Sequence, residues 1–280
     1  EYLAAKAKLF DPSHAKQGVV CLDSEYGEAF LKLAKIPVVT VSNFKEKNPD
    51  YLVTVTEELP GLTKFELETS EGEVISSQLP IIGSHMASNA GLAIAMLIQS
   101  GFTVRQISEA ISAGVKCHLP GRTELVSPPS APSVYVDFGH SPDAFLNTLA
   151  AVRKVTRGKV LMLFGADGDR DASKRPAMAE VAVKGSDILV ITDHHPRFED
   201  AASIRAALVK AAKAAKPEAE IYEVSPPEAA IVKAISLVGP GDSILWAGPG
   251  HQDYRDIRGV RTPYSARELA REALRNAGWK

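Results

Sequence analysis

From residue 133 onward, short apolar runs and helical stretches succeed one another regularly. The runs 133–136, 159–164, 187–192, 218–224 and 243–247 have the length and composition of strands. The stretches 143–155, 177–183, 202–214, 228–237 and 267–277 between and after them read as helices, and Ser265 with Glu268 forms a capping-box pattern before the last. Parallel strands need a crossover long enough to return the chain, usually a helix, so the alternation predicts an α/β fold with a mostly parallel sheet covered on both faces.

One turn of this pattern stands out. Val136-Asp137-Phe138-Gly139-His140-Ser141-Pro142-Asp143 reads as the end of a buried strand, a short polar turn and the start of a helix. Ser141 suits the N-cap, Pro142 the first helical position, and Asp143 the positive end of the helix dipole. Asp137 and His140 are thereby placed at the carboxyl end of a strand, where open α/β sheets bind ligands. A capped strand-to-helix turn with no further role has the same appearance.

The part before residue 121 is less regular. Residues 18–22 and 36–41 read as short buried strands, and 51–55 and 62–79 alternate as an antiparallel edge would. A helix over 88–100 is apolar almost all round, which predicts burial on every side. Thr103 and Gln106 form a capping box for another helix, which should stop at Gly114. Pro120, Gly121, Pro128, Pro129 and Pro132 mark a linker, so domains are expected at 1–123 and 124–280. At 280 residues the chain can bury two modest cores. A net charge of −2 argues against a general nucleic-acid or membrane-surface binder. The longest apolar stretch, 90–98, is short of the roughly 20 residues that span a bilayer. No secretory leader is expected, and Cys21 and Cys117 have no metal-binding spacing, so a cytoplasmic, monomeric protein is expected.

The 136–143 stretch resembles the D-Y-A-H-(T/S)-P-(D/E) motif of the Mur ligases, which build the peptide of bacterial cell-wall precursors. Gly165-Ala166-Asp167-Gly168-Asp169-Arg170-Asp171 with Lys174-Arg175-Pro176 is similar to the G-x-G-G-D-R-D and K-R-P segments of the MurE type. His194-His195-Pro196-Arg197 stands where that type has D-N-P-R, and Gly248-Pro249-Gly250-His251-Gln252 where it has G-K-G-H-E. The segments fall in the family's order and cover nearly the whole chain.

The resemblance implies the later part of a central ATPase domain followed by a complete Rossmann-like C-terminal domain. It implies ATP and Mg2+ as cofactors, and a UDP-N-acetylmuramoyl dipeptide and a diamino acid (diaminopimelate, lysine or ornithine) as substrates. In Tyr2-Leu3-Ala4-Ala5-Lys6, Lys6 matches the lysine that the family carbamylates to help position magnesium; a solvated helix lysine looks the same. Asn89, in Gly83-Ser84-His85-Met86-Ala87-Ser88-Asn89, matches a residue near the nucleotide, or is an N-cap. Arg122 of Pro120-Gly121-Arg122 matches an arginine that reaches ATP, Asp137 a partner of the ribose hydroxyls, and His140 a catalytic histidine. Arg170 and Arg197 match arginines that hold the carboxylate of the incoming amino acid, a task that suits a planar, permanently charged fork. His195, Gly248 and Gln252 complete the implied acceptor site. Surface ion pairs of these arginines with Asp169, Asp171 or Glu199 are the plain alternative.

The chain departs from the family at Met86, His194, His195, Pro249 and Gln252. Glutamine in place of glutamate removes a charge that would pair with an amine, and imidazole changes the hydrogen-bond pattern. No G-x-x-x-x-G-K-(S/T) phosphate loop occurs in these 280 residues, so the chain alone is expected to turn nothing over. The glycine spacing excludes a G-x-G-x-x-G dehydrogenase loop. A folylpolyglutamate-type ligase, or a degenerate ligase domain kept as a scaffold, remains as an alternative.

Overall fold

The computed structural model describes residues 2–280 and contains two compact units, Glu1–Cys117 and His118–Lys280. The N-terminal unit runs α1 (Tyr2–Ala7), β1 (Gly18–Cys21), α2 (Glu25–Leu33), β2 (Val38–Ser42), β3 (Tyr51–Leu59), β4 (Leu62–Thr69), β5 (Val74–Leu79), α3 (Ser84–Gln99) and α4 (Val104–Ile111). Its sheet has the order β1-β2-β3-β4-β5; β1 to β3 are parallel, while β4 and β5 pair antiparallel. The alternation in β4 shows why: Thr63, Phe65, Leu67 and Thr69 are buried, whereas Lys64, Glu66 and Glu68 face water. One wet face is what an antiparallel edge tolerates.

Helix α3 lies on the dry face, and a Cβ built on Gly91 would stand 2.4 Å from Val53 Cγ2. It begins at Ser84, ahead of the expected start, so Asn89 is an exposed residue inside the helix and not its N-cap. It is also not buried all round: Met96 and Leu97 are 52% and 43% exposed, because the sheet covers only one side. The Thr103–Gln106 capping box forms as expected. Gly114 takes a φ of +103° and donates its N–H to Ile111 O just after α4.

The C-terminal unit contains β6 (Glu124–Leu125), β7 (Ser133–Asp137), α5 (Pro142–Val155), β8 (Val160–Phe164), α6 (Arg175–Gly185), β9 (Ile188–Ile191), α7 (Ala201–Ala215), β10 (Glu220–Glu223), α8 (Pro227–Ser236), β11 (Ser243–Ala247), β12 (Tyr254–Ile257), β13 (Val260–Pro263) and α9 (Ala266–Asn276). The strand order is β10-β9-β8-β11-β7-β6, all parallel except β6. Period-two alternation divides the core. Val134, Val136, Leu161, Leu163, Ile244 and Trp246 pack with α8 and α9. On the other face, Phe164 meets Phe145 of α5 edge-on, with ring centroids 5.1 Å apart. The chain steps outward through β8, β9 and β10, then returns to place β11 between β8 and β7. The carboxyl ends of β7, β8 and β11 therefore lie side by side.

Two features went beyond the sequence reading. The proline-rich stretch is more than a connection: it carries β6, whose Glu124 accepts from Gly121 N and from Arg271, and lies within 4 Å of Arg267. The β12–β13 hairpin turns through Arg258 and Gly259, with φ of +52° and +79°, the paired left-handed geometry of a tight two-residue turn.

Candidate functional site

The loops at the carboxyl edge of the C-terminal sheet are locked together backbone to backbone. Gly168 N donates to His195 O at 2.8 Å, and a Cβ on Gly168 would lie 1.9 Å from Pro196 O. Only glycine lets the loop after β8 approach the loop after β9 this closely. Likewise a Cβ on Gly121 would lie 2.0 Å from Gly250 C, which presses the Pro120-Gly121-Arg122 turn onto the loop after β11. Arg175, 8% exposed, ties the first pair of loops further: it forks onto Glu199 at 2.9 and 2.8 Å and reaches Asp167 O at 2.7 Å. Hydrogen bonds from Arg175 and from Asp169 N hold the Glu199 carboxyl below the usual range. Glu199 is thus engaged by Arg175 and leaves Arg170 and Arg197 to other tasks.

Between these loops opens a crevice of about 410 Å³, lined by His140, Asp167, Arg170, His194, Arg197, Gly248 and Gln252 among others. Arg170 is exposed and has no ion-pair partner among the described residues. Arg197 takes a left-handed φ of +48° and is held by Nη1 donating to Gly168 O at 2.5 Å, with Nη2 3.8 Å from Asp167. A non-glycine residue in that region costs of order 1 kcal/mol or more, a strain met chiefly where the surroundings impose it. Asp167 accepts from His194 Nδ1 at 2.9 Å. Burial alone would raise its pKa, but the His194 hydrogen bond and the nearby Arg197 charge bring it down to about 2. The carboxylate therefore fixes the proton of His194 on Nδ1, while Nε2 is buried without a partner.

His195 does not line the crevice as expected. It is 4% exposed behind the wall, with Nδ1 accepting from Asp256 N at 2.9 Å and Nε2 on Gln252 Oε1 at 2.7 Å. Burial, then the neighbouring His194, push its pKa down, and Nδ1, which accepts a backbone N–H, carries no proton. Asp167, His194 and His195 offer ligand atoms within 4.8 Å of one another, yet both nitrogens of His195 are already committed to these hydrogen bonds.

At the mouth, Phe138 is an aromatic platform. The Arg122 guanidinium lies 4.5 Å over its ring, and His251 and His140 stand 5.5 and 5.1 Å from it. Asp137, 4% exposed, accepts from Thr123 N and Oγ1 on one oxygen and Gly139 N on the other. A ribose hydroxyl would have to share oxygens already engaged. Ser141 caps α5 through Ala144 N, as expected. The structure thus gathers His140, Arg170, Arg197, Gly248 and Gln252 around one crevice, with Arg122 on the loop before β6 and Asp137 at the end of β7. Lys6 is exposed on α1 and Asn89 on α3, both in the N-terminal unit. Asp167 and His194 were missed as crevice residues; their signal was only the spacing of an acid and an imidazole after successive strands.

The fold is an open, mostly parallel α/β sheet with a crevice at its carboxyl edge, lined by Arg170, Lys174 and Arg197 together with Asp167 and Asp171. The chain belongs to the Mur ligase family: the Mur ligase middle domain matches residues 1–97 and the Mur ligase glutamate ligase domain residues 121–250. It is 49% identical, over 100% of its length and 55% of the relative's, to UDP-N-acetylmuramyl-tripeptide synthetase of Leifsonia xyli subsp. xyli. It is 35% identical, over 98% of its length and 54% of the relative's, to UDP-N-acetylmuramoyl-L-alanyl-D-glutamate–2,6-diaminopimelate ligase of Streptomyces coelicolor. A solved structure of a ligase of that same name superposes on 100% of the chain and 57% of its own, with a TM-score of 0.63 and 25% identity. The chain spans about half the length of the curated relatives it matches.

Proposed function

We propose that this chain is the amino-acid-accepting half of an ATP-dependent ligase that extends a UDP-N-acetylmuramoyl dipeptide by one diamino acid. The crevice carries this reading: Arg170 and Arg197, brought together by the glycine-locked loops, face one space large enough for an amino acid. The 49% identity to a tripeptide synthetase along the full chain supports it. In this reading ATP converts the glutamyl carboxylate of the dipeptide into an acyl phosphate. Arg170, without an ion-pair partner among the described residues, takes the acceptor's carboxylate, and Arg197 meets it from a fixed backbone. Holding the amine against the acyl phosphate removes much of the entropic part of the barrier. The amine attacks the acyl carbon, the C–O bond to phosphate breaks, and the amine loses its proton as the amide forms. His140, at the crevice edge with Nδ1 2.9 Å from Phe138 O, is placed to take part in that proton transfer.

Arg122 and Asp137 are assigned to the nucleotide, as is Asn89 of the N-terminal unit. Lys6 is exposed, and its unmodified ammonium has no lone pair for a metal; as a carbamate it would offer oxygen donors that suit Mg2+. Magnesium, when bound, offsets negative charge on phosphoryl oxygens. The test is phosphate release by the full-length protein given ATP, the dipeptide nucleotide and a panel of amino acids. Release with lysine, ornithine or diaminopimelate is expected. No release with any diamino acid overturns the reading, and glutamate addition to a folate would replace it.

A further inference from the structure

The orientation of the Gln252 amide follows from a chain of hydrogen bonds that starts at a backbone N–H. Such a group can only donate. Asp256 N donates to His195 Nδ1 at 2.9 Å, so Nδ1 carries a lone pair. The ring is 4% exposed and neutral, which leaves its one proton on Nε2. Nε2–H then donates to Gln252 at 2.7 Å, and the group that receives it must be the amide oxygen, Oε1. The opposite end of the amide is the NH2 group, which can only donate. It has no hydrogen-bond partner among the described residues, and Gln252 lines the crevice.

We infer that His195 holds Gln252 so that a donor-only NH2 group faces the acceptor crevice, and that this corner selects an amino acid placing an oxygen there over one placing an ammonium. The inference rests on the ligase reading above and narrows it: among the acceptors such a ligase takes, those that place an oxygen at this corner are preferred to those that place a terminal ammonium there. Two donors that meet, amide NH2 and ammonium, gain nothing and leave both desolvated. A carboxylate, carbonyl or hydroxyl oxygen accepts the bond. A glutamate at this position would reverse the preference: it could still accept from His195 with one oxygen while turning the other to an ammonium. His195 touches no ligand in this arrangement; it is a positioning residue, acting through the rotation of one amide. Gln252 touches the acceptor and sets its class.

The test uses the full-length ligase with matched acceptors: ornithine and lysine, each against the analogue in which a hydroxyl replaces the terminal ammonium. Wild type should have the higher kcat/KM for the hydroxyl member of at least one pair. Gln252→Glu should move the amine-to-hydroxyl ratio upward by roughly ten- to a hundredfold, the scale of one charge-assisted hydrogen bond. His195→Phe keeps a ring of similar size and releases the amide, so the amine-to-hydroxyl ratio should rise toward one. Equal loss for both members of a pair, with the ratio unchanged, would show a merely structural histidine and overturn the assignment. Because that variant leaves Asp256 N unpaired and can fail to fold, the tautomer is read independently by 15N NMR of the wild-type imidazoles. At neutral pH His195 should be the neutral Nε2–H form, with Nδ1 unprotonated. An Nδ1–H or charged ring would overturn the inference even if no ligation is ever detected, whereas a correct tautomer with no ligation of any amino acid would sink the ligase reading alone.

Discussion

The two units hold their candidate residues by different means. In the N-terminal unit, Lys6 and Asn89 stand on exposed helix faces, where a side chain can change without disturbing the backbone beneath it. In the C-terminal unit the crevice residues sit on loops fastened by glycine contacts, by the Arg175–Glu199 fork, and by Arg197 and Asp169 in left-handed backbone. The sheets differ in parallel. Strands β8, β9 and β11 are buried along their full length, while β4 alternates wet and dry. A sheet dry on both faces gives a rigid edge, and loops locked on that edge can fix a ligand's geometry; a half-wet sheet cannot do the same for side chains standing on its covering helix.

The largest effect should come from the dry core. Trp246, 1% exposed on β11, packs between the sheet and the α8–α9 layer. Trp246→Ala should cost about 3–5 kcal/mol, the usual range for deleting a buried aromatic. Hydrogen exchange should then accelerate across β7, β8 and β11 while β3 to β5 keep their protection. Equal acceleration in both units would mean that they unfold as one, and the contrast drawn between their cores would fail.

Next come the two arginines. Arg170→Ala removes a side chain with no ion-pair partner among the described residues, so the acceptor KM should rise roughly ten- to a hundredfold, the weight of a charge-assisted bond of about 1.5–3 kcal/mol, with stability and ATP binding unchanged. Arg197→Ala should raise KM similarly and also lower the melting temperature, because Arg197 ties the loop after β9 to Gly168 O. Steady-state kinetics with thermal melts separates these. Identical stability for both variants would show that the left-handed loop needs no side-chain anchor.

Much of this was legible in the sequence, and what was not has physical causes. Of the five parallel strands of the C-terminal unit, β7, β8, β9 and β11 were readable because burial makes each a nearly unbroken apolar run, whereas edge strand β10, with Glu220 and Glu223 exposed, was readable only from its place in the alternation. The crevice motifs were readable as segments, and their glycines have a reason the letters alone could not give: they are contact points between loops. Edge strand β6 escaped notice because two residues carry no periodicity, and the β12–β13 hairpin because Arg-Gly is a weak turn signal beside Asn-Gly. His195 was placed in the crevice wall, yet a one-residue step along the chain exchanges the ring that lines the space for the one behind it: His194 lines the crevice and His195 stands behind it. Such a step is invisible without the backbone direction.

A smaller effect is expected from Asp167. Its side chain is 20% exposed and its pKa is brought down to about 2 against burial by the His194 bond and the nearby Arg197 charge. A carboxyl whose folded pKa lies below its unfolded value of about 3.9 contributes stability above that value and loses it as pH falls through the folded pKa. Asp167→Asn should therefore cost about 2 kcal/mol at neutral pH, discounted slightly for exposure, and the difference from wild type should fade between about pH 4 and 2. Urea titrations across that window measure it. A pH-independent difference would assign the loss to packing, and the Asp167–His194 pair would then not be an electrostatic anchor.

The smallest effects concern helix caps, where the two units can be compared directly. Thr103 caps α4 with a reciprocal box: its Oγ1 accepts from Gln106 N at 3.2 Å, and Gln106 Oε1 accepts from Thr103 N at 2.9 Å. Ser141 caps α5 with a single, longer bond from Ala144 N at 3.3 Å. Helix α4 buries only Ile107, so its first turn depends on the cap, whereas α5 buries Phe145, Leu149 and Val152 against a dry sheet. Thr103→Ala should cost about 1 kcal/mol and speed exchange throughout α4. Ser141→Ala should cost less, with faster exchange confined to the first turn of α5, because core packing keeps the remainder helical. Amide exchange by mass spectrometry resolves both helices in one experiment. If α5 frays as far as α4 does, the C-terminal unit owes its rigidity to its caps as much as to its dry sheet, and the distinction between the two units rests on the locked loops alone.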